Sequence, residues 1–256
     1  MSKLANQDQF LDLSDYGRPF GRFLANLCKN TFITPVHITL LFGITGLFAI
    51  YFMLNDYFVL AGIFIVLKSM IDAADGELAR LKKTPSYFGR YLDSVFDIIL
   101  NFLFLSTIGY IANESFLLIF VSFFCIQLQG TLYNYYYVIL RNNSVGGDKT
   151  SNIFEISTPA ALPGESQKSV TLMFKIYQVV YGVFDKIIYA LDNNAYKVKS
   201  FPNWFMTLVS LYGLGFQLLI IAVMLATGFI HLIIPFIILY SVFILIFIEI
   251  RKRLIH

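Results

Sequence analysis

Six apolar stretches, at about 36–55, 57–81, 91–112, 115–140, 203–226 and 229–250, leave this 256-residue chain little choice of fold. Each approaches or exceeds the roughly 18–20 apolar residues that cross a bilayer core. Charged residues make up only 14% of the chain, where a soluble domain carries about 25%. A backbone in hydrocarbon must satisfy its own hydrogen bonds, so runs of this length become helices. The expectation is an all-α integral membrane protein with six transmembrane helices, an N-terminal interfacial helix and an amphipathic interfacial helix between spans 4 and 5. Residues 1–256 then form a single membrane domain, with no room for a separate soluble one.

The basic residues predict an orientation. The turns near Leu54–Tyr57, Asn113–Ser115 and Thr227–His231 contain no Lys or Arg. Of 19 basic residues, 18 fall in the N-terminal arm, the 80–90 turn, the 141–199 segment or Arg251-Lys252-Arg253. The positive-inside rule then puts both termini in the cytoplasm. The arm, 1–30, has no apolar core of a cleavable signal; its Phe10, Leu11, Leu13, Phe20, Phe23, Leu24 and Leu27 alternate with polar groups, as in a helix lying on a membrane. The net charge of +3 reflects topology and does not argue for nucleic acid. Cys28 and Cys125 lack ligand spacing and read as inert thiols. The turn-rich 141–168 reads as a cytoplasmic loop, and 169–191 as an amphipathic helix in the interface.

Into this apolar frame the chain puts Asp72, Asp75, Asp93 and Asp97. A charge at the centre of a membrane helix costs roughly 2.5–3.5 kcal/mol on insertion scales. Asp72, Asp75, Gly76 and Ala79 stand at i, i+3, i+4 and i+7 and share a helix face; Gly89, Asp93 and Asp97 do the same at i, i+4 and i+8. A turn of about six to nine residues would join two antiparallel helices whose aspartate faces meet. Gly76, Ala79 and Gly89 permit close approach and leave space for a ligand. Four carboxylates call for a hard divalent metal, and facing pairs can bridge two ions about 3.5–4 Å apart, an arrangement that serves phosphoryl transfer. Arg80, one turn from Gly76, suits a phosphate oxygen.

These residues spell D-x2-D-G-x2-A-R-x8-G-x3-D-x3-D over 72–97, with every fixed position matched. The pattern resembles that of the CDP-alcohol phosphotransferases (CDP-alcohol phosphatidyltransferases), as does the six-span layout. The resemblance implies transfer of a phosphatidyl group from CDP-diacylglycerol to the hydroxyl of a polar alcohol, with release of CMP. It implies Asp72, Asp75, Asp93 and Asp97 as ligands of two Mg²⁺ or Mn²⁺ ions, and Asp97 also as general base. Gly76, Arg80 and Ser86 would contact the CDP moiety. A further family element, Thr-Pro-x-x-x-Thr opening the first span, is matched by Thr34 and Thr39; its polar third position is Val36 here, and the neighbouring His37 is a candidate to compensate. The likeness also implies a homodimer, and the compact form suggests a bacterial or archaeal cytoplasmic membrane.

The signature does not say which substrate carries the lipid, so CDP-ethanolamine or CDP-choline donating to diacylglycerol stays open. A basic acceptor pocket would favour a phosphorylated acceptor, and its absence a neutral one. A cation- or proton-coupled transporter is the rival from another class, disfavoured because no repeat is visible and the carboxylates gather near a turn. Lys68, one turn before Asp72, reads equally as a phosphate or acceptor contact and as an internal ion pair. Arg141, with Asp148 and Lys149, reads as an acceptor contact or a solvated cluster. Glu77 fits neither the metal face nor the signature and reads as a bystander, and Pro235 as a kink in the last span.

Overall fold

A computed structural model describes residues 4, 8–144, 155 and 157–254, and among these the chain is helical with no strand. Ten α-helices follow a short 3-10 turn at Leu13–Asp15: α1 (Arg18–Cys28), α2 (Pro35–Leu54), α3 (Phe58–Lys82), α4 (Tyr87–Ile111), α5 (Phe116–Asn143), α6 (Gln167–Leu191), α7 (Asn203–Val209), α8 (Leu214–Ala226), α9 (Ile230–Tyr240) and α10 (Phe243–Leu254).

The α2 helix shows how the sequence sorts its faces. Pro35 stands at its first turn, and Thr34 caps it: the Thr34 hydroxyl accepts from the His37 amide at 3.4 Å, while His37 Nδ1 accepts from the Thr34 amide at 3.1 Å. Thr39, Phe42, Gly43, Gly46, Ala49 and Met53 are buried at helical spacing. Leu40, Leu41, Ile44, Leu47 and Phe48 are exposed on the opposite side. An apolar outer face on an apolar inner face marks a helix meant for lipid.

Among the described residues four helices are long and apolar enough to cross a membrane: α2, α4, α5 and the α9–α10 stretch Ile230–Arg253. The α7 and α8 segments, bent by 51° around Gly213, make a fifth if taken as one broken span. The second expected span, α3, has the length at 25 residues, but Lys68, Asp72, Asp75, Glu77 and Arg80 crowd its second half. Its charge cluster sets it apart from the other five. Pro235 sits inside α9, which continues to Tyr240; the break falls at 241–242 instead. Cys28 and Cys125 are both free thiols.

The main core joins α1, α2, α3, α4, α8 and α9 around Phe42, Leu78, Phe104 and Ile234. A second core ties α5 to α7 and α10 through Tyr136, Phe205, Tyr212 and Phe247. A small third one, Tyr91, Val170 and Phe174, fastens α6 to α4. The α1 helix lies on α3 at backbone distance: a Cβ on Gly17 would stand 2.9 Å from the Met70 Cα, and one on Gly21 2.8 Å from the Ala73 carbonyl carbon. Any side chain there would lift the arm off the aspartate helix.

Candidate active site

The α3 and α4 helices meet through a connector of only 83–86, shorter than the six to nine residues expected, because both helices run further towards each other than their apolar stretches do. Lys83 ends α3 in the left-handed region at φ 54°, with its amide and that of Thr84 returning to Arg80 and Ala79. Ser86 opens α4 by accepting from the Gly89 amide at 2.7 Å. This tight reversal sets the two aspartate faces against each other.

Asp72, Asp75 and Asp93 each offer a carboxylate oxygen, all lying within 4.8 Å of one another. Thr39 donates to Asp75 Oδ2 at 2.8 Å and orients it from α2. Among the described residues Asp93 Oδ1 is buried without a hydrogen-bond partner, a costly state that a cation relieves. Hard oxygen donors and an orphaned carboxylate oxygen fit a divalent ion such as Mg²⁺ or Mn²⁺. Asp97, the fourth carboxylate, lies outside that triad. It accepts from Lys68 Nζ, which also donates to Asp72 Oδ2 at 3.1 Å. Lys68 is fully buried, with its Nζ 4.5 Å from the Phe42 ring centroid. Of the two readings open for Lys68, the geometry gives the internal ion pair.

Arg80 pairs with Glu77 at 3.0 Å. Glu77 is only 4% exposed, and its Oε1 also stands 3.5 Å from Arg18 Nε and 3.6 Å from Arg22 Nε. The residue read as a bystander is therefore the point where the motif arginine and the N-terminal arm converge. Its spacing from the metal face hid it; the usable signal was the Arg18/Arg22 pair at i, i+4 on an arm otherwise rich in apolar residues.

The motif carboxylates face a cavity of about 440 Å³. Asp72, Asp75, Asp93 and Asp97 share it with Gly76 and Arg80. Asp12, Ser14 and Asp15 of the arm form another wall, with Tyr137 and Arg141 of α5. Arg141 is buried, its guanidinium 6.0 Å from the Tyr137 ring centroid. Tyr177, Tyr181 and Asp185 of α6 form a further wall, and Leu214, Gly215 and Gln217 of α8 another. Neither the arm carboxylates nor the α6 residues were legible as cavity walls, because each comes from a segment far away in sequence.

Other expected contacts lie elsewhere. Thr34 and Ser86 do not line the cavity; both cap helices, and Ser86 also donates to Glu165 Oε1 at 2.7 Å. Thr39 reaches the site only through Asp75. His37 is occupied in the α2 capping box. Glu165 further accepts from the Phe88 and Leu162 amides, and these hydrogen bonds hold its carboxyl below the usual carboxylate range against the opposing effect of burial. Asp148 and Lys149 lie outside the described residues.

Comparison with known proteins bears on what such a cavity does. A 78-residue stretch, 30% of this chain, is 40% identical to the bifunctional IPC transferase and DIPP synthase of Aquifex aeolicus (strain VF5), and covers 18% of that relative's length. Residues 32–247 match the family described as CDP-alcohol phosphatidyltransferase. That match takes in every helix lining the cavity except the arm, and the whole of the aspartate motif. The chain belongs to the CDP-alcohol phosphatidyltransferase family.

Proposed function

We propose that this protein is an integral membrane enzyme that transfers a phosphatidyl group from CDP-diacylglycerol to the hydroxyl of a polar alcohol and releases CMP. The observation that carries it is the meeting of Asp72, Asp75 and Asp93 beside Arg80, in a polar cavity set among helices apolar enough to cross a membrane. The transferase and synthase activities in the Aquifex relative's name agree with this chemistry. In this reading α3 is the sixth span, α1 and α6 lie in the interface, and both termini and the cavity face the cytoplasm. The family resemblance adds a homodimer.

Asp72, Asp75 and Asp93 would hold the divalent cation, with Asp97 as an additional ligand for a second Mg²⁺ or Mn²⁺. Bound cations would supply neutralisation of the charge that builds on the phosphorus and the leaving CMP. Arg80, held by Glu77, binds a phosphate oxygen of the donor. Gly76 keeps the floor open beside it. Asp97 takes the proton of the acceptor hydroxyl as that oxygen bonds to phosphorus and the bond to CMP breaks. Lys68 donates to Asp97 and orients it for that step.

The test is CMP release by the purified protein in detergent with Mg²⁺ or Mn²⁺. CDP-diacylglycerol is offered with a panel of alcohols, and CDP-ethanolamine or CDP-choline with diacylglycerol. CMP from the first set alone supports the proposal. CMP only from the second would reverse which substrate carries the lipid.

A further inference from the structure

The α6 helix carries no part of the aspartate motif, yet three of its residues, at i, i+4 and i+8, face the same cavity. Tyr177 and Tyr181 stack with ring centroids 5.1 Å apart and planes at 18°. Tyr177 also packs on Tyr91 of α4 at 5.1 Å. The Tyr181 hydroxyl donates to the Ser94 carbonyl at 3.1 Å, between Asp93 and Asp97 along the chain. The α6 wall is thereby locked against the segment of α4 that bears the proposed base. Asp185 completes the row. Among the described residues it makes no hydrogen bond or ion pair. Arg90, at the start of α4, is turned to Glu155 at 2.8 Å and lies over the Tyr91 ring, so it does not answer Asp185.

Asp185 is half-buried on the cavity wall, and a carboxylate partly withdrawn from water gains from a ligand that donates to it. Burial, with the charge of Glu155, pushes the Asp185 carboxyl up to about 6. Arg80 and Gly76 occupy the α3 side, where the nucleotide diphosphate of the proposed reaction belongs. The alcohol that gives its proton to Asp97 must approach from the α4 side, which is where α6 stands. No Lys or Arg of α6 lines the cavity; Arg141 enters it from α5 beside Tyr137, and a phosphate at the α6 wall would meet the Asp185 carboxylate.

We propose, resting on the transferase reading above, that Tyr177, Tyr181 and Asp185 form the acceptor subsite, and that this subsite selects an alcohol rich in hydroxyl or amine donors and bearing no phosphate. Asp185 accepts hydrogen bonds from the acceptor's further hydroxyl or ammonium groups. The tyrosine rings form a flat apolar platform against its carbon skeleton.

The experiment measures kcat and KM by CMP release for polyols and amino alcohols, each beside its phosphorylated counterpart. Wild type is expected to prefer the unphosphorylated member. Asp185→Asn raises the acceptor KM about tenfold, the loss of a charge-assisted hydrogen bond, with kcat and donor KM changing far less. Asp185→Glu recovers part of that loss, and Asp185→Lys shifts preference towards the phosphorylated member. A wild-type preference for phosphorylated acceptors, or an acceptor KM unmoved by Asp185→Asn in folded protein, overturns the subsite while leaving the transferase intact. No CMP from any pair overturns both.

Discussion

The α3–α4 hairpin and the walls that face it are built on different principles. In the hairpin, Asp72, Asp75, Gly76, Arg80 and Asp93 lie within one stretch of chain, and helical spacing with one tight reversal brings them to one place. The facing walls come from the arm, α5, α6 and α8, segments remote from one another in sequence, and only tertiary packing assembles them. The difference suggests a division of labour: the hairpin holds the chemistry shared by a family, and the distant walls hold what distinguishes this chain. Substitutions in the hairpin should therefore remove turnover, and those in the walls should change what is bound.

The largest effect is expected at Asp97. Asp97→Asn keeps the shape and removes the proposed base, and turnover should fall by about 10²–10⁴ in a CMP-release assay. Retention within tenfold would take the base role from Asp97 and blur the comparison at its sharpest point. Lys68→Met should come next. It strands two carboxylates without their buried cation, a loss of about 3–5 kcal/mol, readable as a lowered melting temperature in detergent. An unchanged melting temperature would mean that the Lys68 pair contributes little to the fold.

Glu77→Gln sharpens the boundary between the two regions, because Glu77 belongs to the hairpin but holds the arm. Three guanidinium groups lose their common partner. The KM for the CDP-linked donor should rise about tenfold, with Glu77→Asp recovering part of it. A change in kcat alone would contradict the positioning role.

The smallest effect concerns the loop at 157–166. Glu165 binds the start of α4 with its carboxyl held below the ordinary range. A depressed folded-state pKa gives stabilisation that is present above the ordinary carboxylate range and disappears as pH falls through the lowered value. Hydrogen exchange at the Phe88 and Leu162 amides should accelerate over that acidic window, and in Glu165→Gln at neutral pH. Exchange unaffected by either change would show that the clasp does not hold the loop.

How much could be read in advance follows the same division. The aspartates were legible because i, i+3 and i+4 spacing is a property of one helix. The apolar runs gave the helices of the bundle, since length and hydropathy are local quantities. Glu77 was misread because a single helix's periodicity cannot show that Arg18 and Arg22 arrive from another element. The bend at Gly213 and the break at 241–242 lie beside Tyr212 and Ile244, both buried in the second core, and a continuous apolar run did not reveal them. Ser86 and Thr34 show the opposite case. Their positions match the family pattern, while their hydroxyls are committed to local capping, which spacing alone could not separate from ligand contact.

The measurement that bears most directly on the central claim is acceptor-dependent CMP release before and after removal of divalent cations, in wild type and Asp93→Ala. The account predicts release by wild type, its loss on chelation, recovery on adding Mg²⁺ or Mn²⁺, and no recovery in Asp93→Ala. Release that persists through chelation, or that Asp93→Ala retains in folded protein, would contradict the assignment of the carboxylate triad as a metal-assisted phosphotransfer centre.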